Sequence, residues 1–577
     1  MVTLGVLLLN LLQQPGRTTF DTKLDLQYGP GDLLGRSLSL WNGDWALGGL
    51  QNQASGYLFP MGPAFWLGDV LGVPAWVWER LWSAAVMLLA YEGARRLARS
   101  WPGIGAAGAV LAGAAYMLAP RVLTTVGGLS GETLPGAVLP WTVLPLVLYL
   151  RGRLRARTGL LASVATIPFM GGQNATLVAA CLVLPALLLA LGEGRTWRRR
   201  LRDLVAWSVL VLVVTAWWLV PLLLLGGYAP PFLDFIESSR NTAAGTGWLA
   251  SLRGTSHWVA FFPGGGPLGW VGGYELASSR LLVLPTVLAA GAGLAGLALR
   301  RTWQRGVLVT SVLVGLAVLT VGTGAPAGSL LSGWWLDALD GALAPLRNVH
   351  KWDPVVRLPL SLGLGALVGA VPVSWSWRRL PRALPARRLV LAASALAVLA
   401  ATLPAATGSL RTAGGMEDLS AGWRGASRYL AAQDGPVRAM VLPGAGFAVQ
   451  LWGRTVDEPI QVLDAPPWLA RAQVTVAPGG TLRLLDGIED AVAQARPQPS
   501  LAASFSRLGM THVVLRHDLD PDETDAPSPD VVEAGVAATP GLTRVAGYGR
   551  VVDGRREVEV YAVATTDDPR VGVADAA

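Results

Sequence analysis

The feature that most constrains this chain is a succession of apolar runs, nearly all uncharged, separated by arginine clusters. A membrane-crossing helix takes about 20 apolar residues, with roughly 17–25 as the usual range. Runs of that length or somewhat shorter occur at Val2–Leu12, Pro74–Gly93, Gly103–Leu118, Gly136–Leu150, Gly159–Met170, Ala175–Leu191, Leu204–Leu225, Leu281–Leu299, Gly306–Gly322, Leu358–Pro372 and Leu389–Leu403. The first is short and reads as the trailing end of a helix. Arginines gather at Arg95, Arg96 and Arg99, at Arg151, Arg153, Arg155 and Arg157, and at Arg195, Arg198, Arg199, Arg200 and Arg202. Further clusters are Arg300, Arg301 and Arg305, then Arg378, Arg379, Arg382, Arg387 and Arg388. They recur after every second run, as alternating crossings require, and basic residues in short loops mark the cytoplasmic face. The expectation is a polytopic α-helical membrane protein with about eleven transmembrane helices in the plasma membrane, its N-terminus inside.

That topology puts the long segments 13–73, 226–280 and 323–357 and the tail from residue 404 on the extracytoplasmic face. It also disposes of the net charge of +8, which taken alone would suit a nucleic-acid binder. The arginines are topology markers, so the expected partner is the lipid bilayer and not nucleic acid. Charged residues are only 15% of the chain, against about 25% in an average soluble domain. A single cysteine, Cys181, rules out an intrachain disulfide and a cysteine metal site. The four histidines show no zinc-ligand spacing, so neither a metal nor another cofactor is expected.

After residue 403 charge rises and apolar runs shorten. Ser420–Ala432, Leu482–Ala495 and Ser500–Leu508 read as helices, and Val437–Leu442, Thr511–Leu515 and Glu557–Val563 as strands. The predicted organisation is a multi-span module over 1–403 and a small extracytoplasmic α/β domain over 404–577.

The outer loops hold the candidate chemistry. Asp21 and Asp25 flank Lys23 directly after the first run. A carboxylate there can serve as general base toward a sugar hydroxyl, and a lysine can neutralise a lipid phosphate; a solvated turn is the plain alternative. Trp41, Asn52 and Tyr57 combine rings and amides as sugar contacts do, although interfacial aromatic belts use the same residues. Arg347, His350, Lys351, Asp353 and Arg357 crowd just ahead of a span. Arg347, Lys351 and Arg357 suit a phosphate, and His350 a hydrogen bond or proton transfer. Both lysines of the chain thus lie in outer loops, each two residues before an aspartate. Glu132 is a third outer-face acid, equally suited to a helix N-terminus.

The segments Asp21–Asp25, Gln51–Pro63 and Leu346–Leu360 resemble the N-terminal module of alpha-(1->3)-arabinofuranosyltransferases, and Trp452–Pro459 and Arg516–Pro521 extend the likeness into the tail. These are polytopic GT-C glycosyltransferases of the mycobacterial-type envelope. The resemblance implies a GT-C-like fold, a decaprenylphosphoryl-arabinofuranose donor and an arabinan acceptor in arabinogalactan or lipoarabinomannan. It further implies inverting transfer, with Asp21 or Asp25 as base and Lys23, Arg347, Lys351 and Arg357 at the donor phosphate. Two other classes compete. A transporter or flippase of envelope lipids would carry ionisable residues inside its spans, where only Glu79, Arg80 and Glu92 are found. A non-catalytic assembly partner would bind glycan without turnover.

Overall fold

Backbone groups in hydrocarbon have no water to bond, so apolar runs of this length are obliged to form helices. The computed structural model describes residues 1–45, 47–51, 54–228, 238–261, 269–323, 329–370, 386–471, 479–524 and 526–564. Within it, Ala106–Thr125, Ser130–Leu150, Trp197–Gly226, Arg280–Ala298 and Val349–Ala370 are long and apolar enough to cross a membrane. Shorter apolar helices cover Val2–Leu11, Ala175–Leu191, Arg305–Thr320 and Arg388–Ala400. Most of the last arginine cluster lies outside the described residues.

The helices pack through small residues. A Cβ on Gly296 would overlap the Gly363 carbonyl, and one on Gly293 would overlap Leu360, so helices Arg280–Ala298 and Asp353–Ala370 touch backbone to backbone. Lipid offers helices no hydrophobic reason to associate, which makes such close van der Waals contact the main source of cohesion. Trp197–Tyr228, by contrast, turns Leu201, Val205, Val209, Leu212, Val213, Val220 and Leu223 outward. An exposed face of pure Leu and Val suits hydrocarbon and would be a liability in water.

Two of the three ionisable residues that the sequence places in the span within helix Ala75–Ser100 have a structural task. Glu79 and Arg80 are fully buried and paired. Arg80 donates to the carbonyls of Gln13, Gln14 and Arg17, and Glu79 accepts from the Thr19 amide and hydroxyl. They thereby fasten the start of the segment 13–73 to the helix bundle. Arg411, arriving from the tail, joins them through the Glu79 and Gly127 carbonyls and Ser83 Oγ.

The tail folds around a five-stranded sheet in the order Trp468–Leu469, Ala439–Leu442, His512–Arg516, Arg555–Val563, Leu542–Val552. The first three strands are parallel and the last two antiparallel. Ala439–Leu442 and His512–Arg516 are buried along their whole length, as strands covered on both faces must be. Ala421–Ala431 covers one face; Gly479–Val492, Leu501–Arg507 and Pro529–Val536 cover the other. Six of these elements, three helices and three strands, lie within a few residues of the ends expected from the sequence. The long exposed strand Leu542–Val552 was missed, because its outward face carries none of the apolar alternation that marks a strand.

Candidate active site

The tail is bolted onto the segment 13–73, and the space between them is the candidate site. Thr18 and Met416 exchange backbone hydrogen bonds of 2.7 and 2.9 Å, and the Trp468 amide donates to the Asp44 carbonyl at 3.0 Å. A cavity of about 460 Å³ lies in the seam. The loop lines it with Thr22, Lys23, Asp25, Arg36, Asp44, Trp45, Gln51 and Tyr57, and the tail with Phe447, Asp457, Glu458, Gln461 and Trp468. Rings beside carboxylates, amides and two cations form a lining suited to a polyhydroxylated ligand.

Local backbone geometry sets out the acids. Thr22 has φ +67° and Val456 φ +64°, a left-handed conformation that is costly for β-branched residues. Each sits next to an aspartate. The turn at Thr22 sends Asp21 inward, where Oδ1 accepts the Ser130 amide at 2.8 Å, while Lys23 and Asp25 face the tail. The turn at Val456 brings Asp457 against them: Oδ2 accepts the Leu24 amide at 3.0 Å, and Oδ1 lies 3.6 Å from Lys23 Nζ. Asp25 is held by Arg36 and by Gln461 Nε2 at 2.9 Å. Strain of this kind concentrates where a site needs a fixed arrangement.

Burial pushes the Asp21 carboxyl above the ordinary carboxylate range, outweighing its bonds to Ser130 and Thr22 and the charge of Arg411. Asp25 is also raised by burial, with Arg36 opposing and the Asp457 charge adding to the rise. The difference lies in free valence. Both Asp25 oxygens are engaged, whereas Asp21 Oδ2 is buried with no hydrogen-bond partner among the described residues.

A second group of charges lies on the other side of Ser130. Glu132, in the first turn of helix Ser130–Leu150, pairs with Arg121, and its Oε1 is 3.3 Å from both His257 Nε2 and His350 Nε2. The two imidazoles stack with centroids 4.1 Å apart. The Lys351 charge also acts on Glu132. Burial lowers the His257 pKa well below its ordinary value, so that ring is neutral near pH 7.

Comparison with known proteins agrees with this architecture. Residues 5–575 match the model of the family described as alpha-(1->3)-arabinofuranosyltransferase, N-terminal GT-C domain. The chain belongs to this family. It is 42% identical over 564 residues to the alpha-(1->3)-arabinofuranosyltransferase of Mycolicibacterium smegmatis, covering 95% of this chain and 39% of that protein. The Mycobacterium tuberculosis protein of the same name is 39% identical over 562 residues, with 95% and 40% covered. The chain thus spans about two fifths of the length of these curated relatives. A cryo-EM structure of the arabinofuranosyltransferase AftD from Mycobacteria superposes with a TM-score of 0.80 at 35% identity, over 98% of this chain and 40% of that one.

Within this family member, the residues singled out from sequence fall into three places. Lys23, Asp25 and Tyr57 line the cavity, and Asp21 lies just behind it. Glu132, His350 and Lys351 form the neighbouring charge cluster. Arg357 and Asp353 pair with each other at 2.7 Å, and Arg357 also donates to the Leu252 and Ser251 carbonyls, so its guanidinium is occupied in holding a loop to a helix. Arg347 is buried, and its carbonyl accepts from Thr242. Trp41 is exposed and stands outside the cavity lining, where Trp45 takes the place foreseen for it. Asn52 lies outside the described residues.

Sequence reasoning missed Arg36, Arg121, His257, Asp457 and Gln461. Asp457 lies in the tail segment Trp452–Pro459 that shares the family likeness, but no local signal joins residue 457 to residue 23. Arg121 stands in a mostly apolar stretch and His257 follows Thr255 and Ser256, and neither has a spacing that marks a site.

Proposed function

We propose that this chain is the catalytic module of an arabinosyl transfer from a polyprenyl phosphate, decaprenylphosphoryl-arabinofuranose, to an arabinan of the cell envelope. The acceptor hydroxyl gives its proton to Asp21 Oδ2, and its oxygen attacks the anomeric carbon from the face opposite the phosphate. The bond from that carbon to the phosphate oxygen breaks, and the lipid phosphate leaves with its charge. Lys23 and Arg36 at the cavity wall stabilise that charge, while Asp25, Gln461, Tyr57, Trp45 and Trp468 orient the sugars. The membrane module 1–403 crosses the bilayer about eleven times. The loops at 13–73, 226–280 and 323–357 and the domain 404–577 then lie together outside the cytoplasm, where the envelope glycan is.

The observation that carries the reading is Asp21: a fully buried carboxylate with one oxygen anchored by a helix amide and the other unpartnered. Desolvation without a compensating partner makes a carboxylate a stronger base. The test is turnover in membranes of cells lacking the native enzyme, with the donor supplied. Asp21→Asn is expected to lose about 10²–10⁴-fold in kcat with KM little changed, the usual yield of general-base catalysis. Asp25→Asn should act mainly on KM. Full turnover by Asp21→Asn would remove it from the mechanism, and a larger kcat loss in Asp25→Asn would exchange their roles.

A further inference from the structure

Glu132, His257 and His350 come from three separate stretches of chain, yet their ligand atoms all lie within 4.8 Å of one another. His257 is 3% exposed and His350 1%. Glu132 Oε1 is 3.3 Å from Nε2 of each, longer than a good N–H···O hydrogen bond. It is, however, the edge of a tetrahedron. An ion bonded to nitrogen and oxygen at about 2.0–2.1 Å has ligands about 3.3–3.4 Å apart. Among the described residues, His257 Nε2 is also buried without a hydrogen bond of good geometry, a costly state for a group that normally finds a partner.

We propose that Glu132, His257 and His350 bind a zinc-class divalent cation through one carboxylate oxygen and two imidazole nitrogens, leaving a fourth position open. Two imidazoles favour zinc and its transition-metal relatives over magnesium or calcium, which take oxygen ligands. Arg121 does not bar the ion. A carboxylate has about four lone-pair sites, so Glu132 can hold the guanidinium and the metal together, with Arg121 fixing its orientation from outside. The Val259 amide donates to His257 Nδ1 at 3.1 Å, which places the ring proton on Nε2 in the metal-free state. Coordination through Nε2 moves that proton to Nδ1, gives up the Val259 hydrogen bond and requires the ring or that amide to turn away. Ion, Arg121 and Lys351 together outweigh the single charge of Glu132, so the open position favours an anionic oxygen. That this oxygen is a lipid phosphate rests on the transfer reading above; the metal site does not.

The test is made on the full chain in detergent, stripped with chelator, reloaded with Zn²⁺ or Co²⁺, and freed of excess ion. Elemental analysis should find one ion per chain, and Co²⁺ should give the intense visible absorption of four-coordinate geometry. His257→Ala and His350→Ala should each cut affinity by at least tenfold, while His512→Ala, in the tail sheet, leaves it unchanged. Thermal melting of the stripped variants separates lost binding from lost folding. Absence of retained metal in the parent protein, a weak six-coordinate cobalt spectrum, or undiminished binding by His350→Ala would each overturn the proposal, whatever the outcome for Asp21.

Discussion

Asp21 and Glu132 stand at the same helix N-terminus and have opposite fates. Asp21 accepts the Ser130 amide from outside the helix and keeps one oxygen bare; Glu132, inside the first turn, is ringed by Arg121, His257 and His350. Both are carboxylates removed from water. What differs is how many positive or donor groups the fold has gathered around each. A buried carboxylate with few partners is destabilised as an anion and holds a proton well. One enclosed by cations and imidazoles is a fixed negative charge. The first arrangement suits proton transfer and the second suits holding something in place.

The contrast is sharpest in stability. Glu132→Gln removes the anion that balances buried Arg121, and breaking a buried pair from one side costs about 3–5 kcal/mol. A fall in melting temperature of several degrees is expected; an unchanged melt would mean that Arg121 is balanced elsewhere. Asp21→Asn should act in the reverse direction and more weakly, stabilising by about 0.5–2 kcal/mol at pH 7, as replacements that relieve functional strain do. The sign follows from its raised pKa. The folded protein holds the Asp21 proton more tightly than the unfolded chain. That contribution is complete below the ordinary value of 3.8 and is lost as pH rises through the raised one. The gain from Asp21→Asn should therefore shrink as the melt is taken to more acidic pH; a gain that grew with acidity would contradict the assignment. The smallest effect is expected at the turn that separates Asp21 from the cavity wall. Thr22→Gly removes a left-handed strain of about 1–2 kcal/mol and frees the unfolded chain by about 0.5–1 kcal/mol. The net should be a stabilisation of no more than about 1 kcal/mol in denaturant titration, with KM rising as the acids lose their fixed spacing. Unaltered KM would show that Thr22 strain plays no part in positioning.

Much of this was legible in the chain. Apolar run length marked out the helices because lipid burial leaves the backbone a single option, and composition marked the tail because a water-facing sheet needs a different one. Of the two lysines, Lys23 lines the cavity and the charge of Lys351 acts on Glu132. Reasoning failed for Arg357 and Trp41. Charge density ahead of a span says nothing of partners, and Arg357 is taken by Asp353 and two carbonyls. An aromatic in a short ladder has two faces to choose from, and Trp41 took the outer one.

The sequence by itself determined that the chain is built of apolar helices, that a compositionally distinct tail follows, and that acids and the rare lysines cluster in the segments between. Local chemistry suffices for those, since hydrophobicity and spacing act within a few turns of the chain. Only the tertiary structure decided that Asp457 closes on Lys23, that His257 meets His350 over Glu132, and that one oxygen of Asp21 is left without a partner. These depend on contacts across tens to hundreds of residues, whose positions are fixed by helix packing and by the seam between loop and tail.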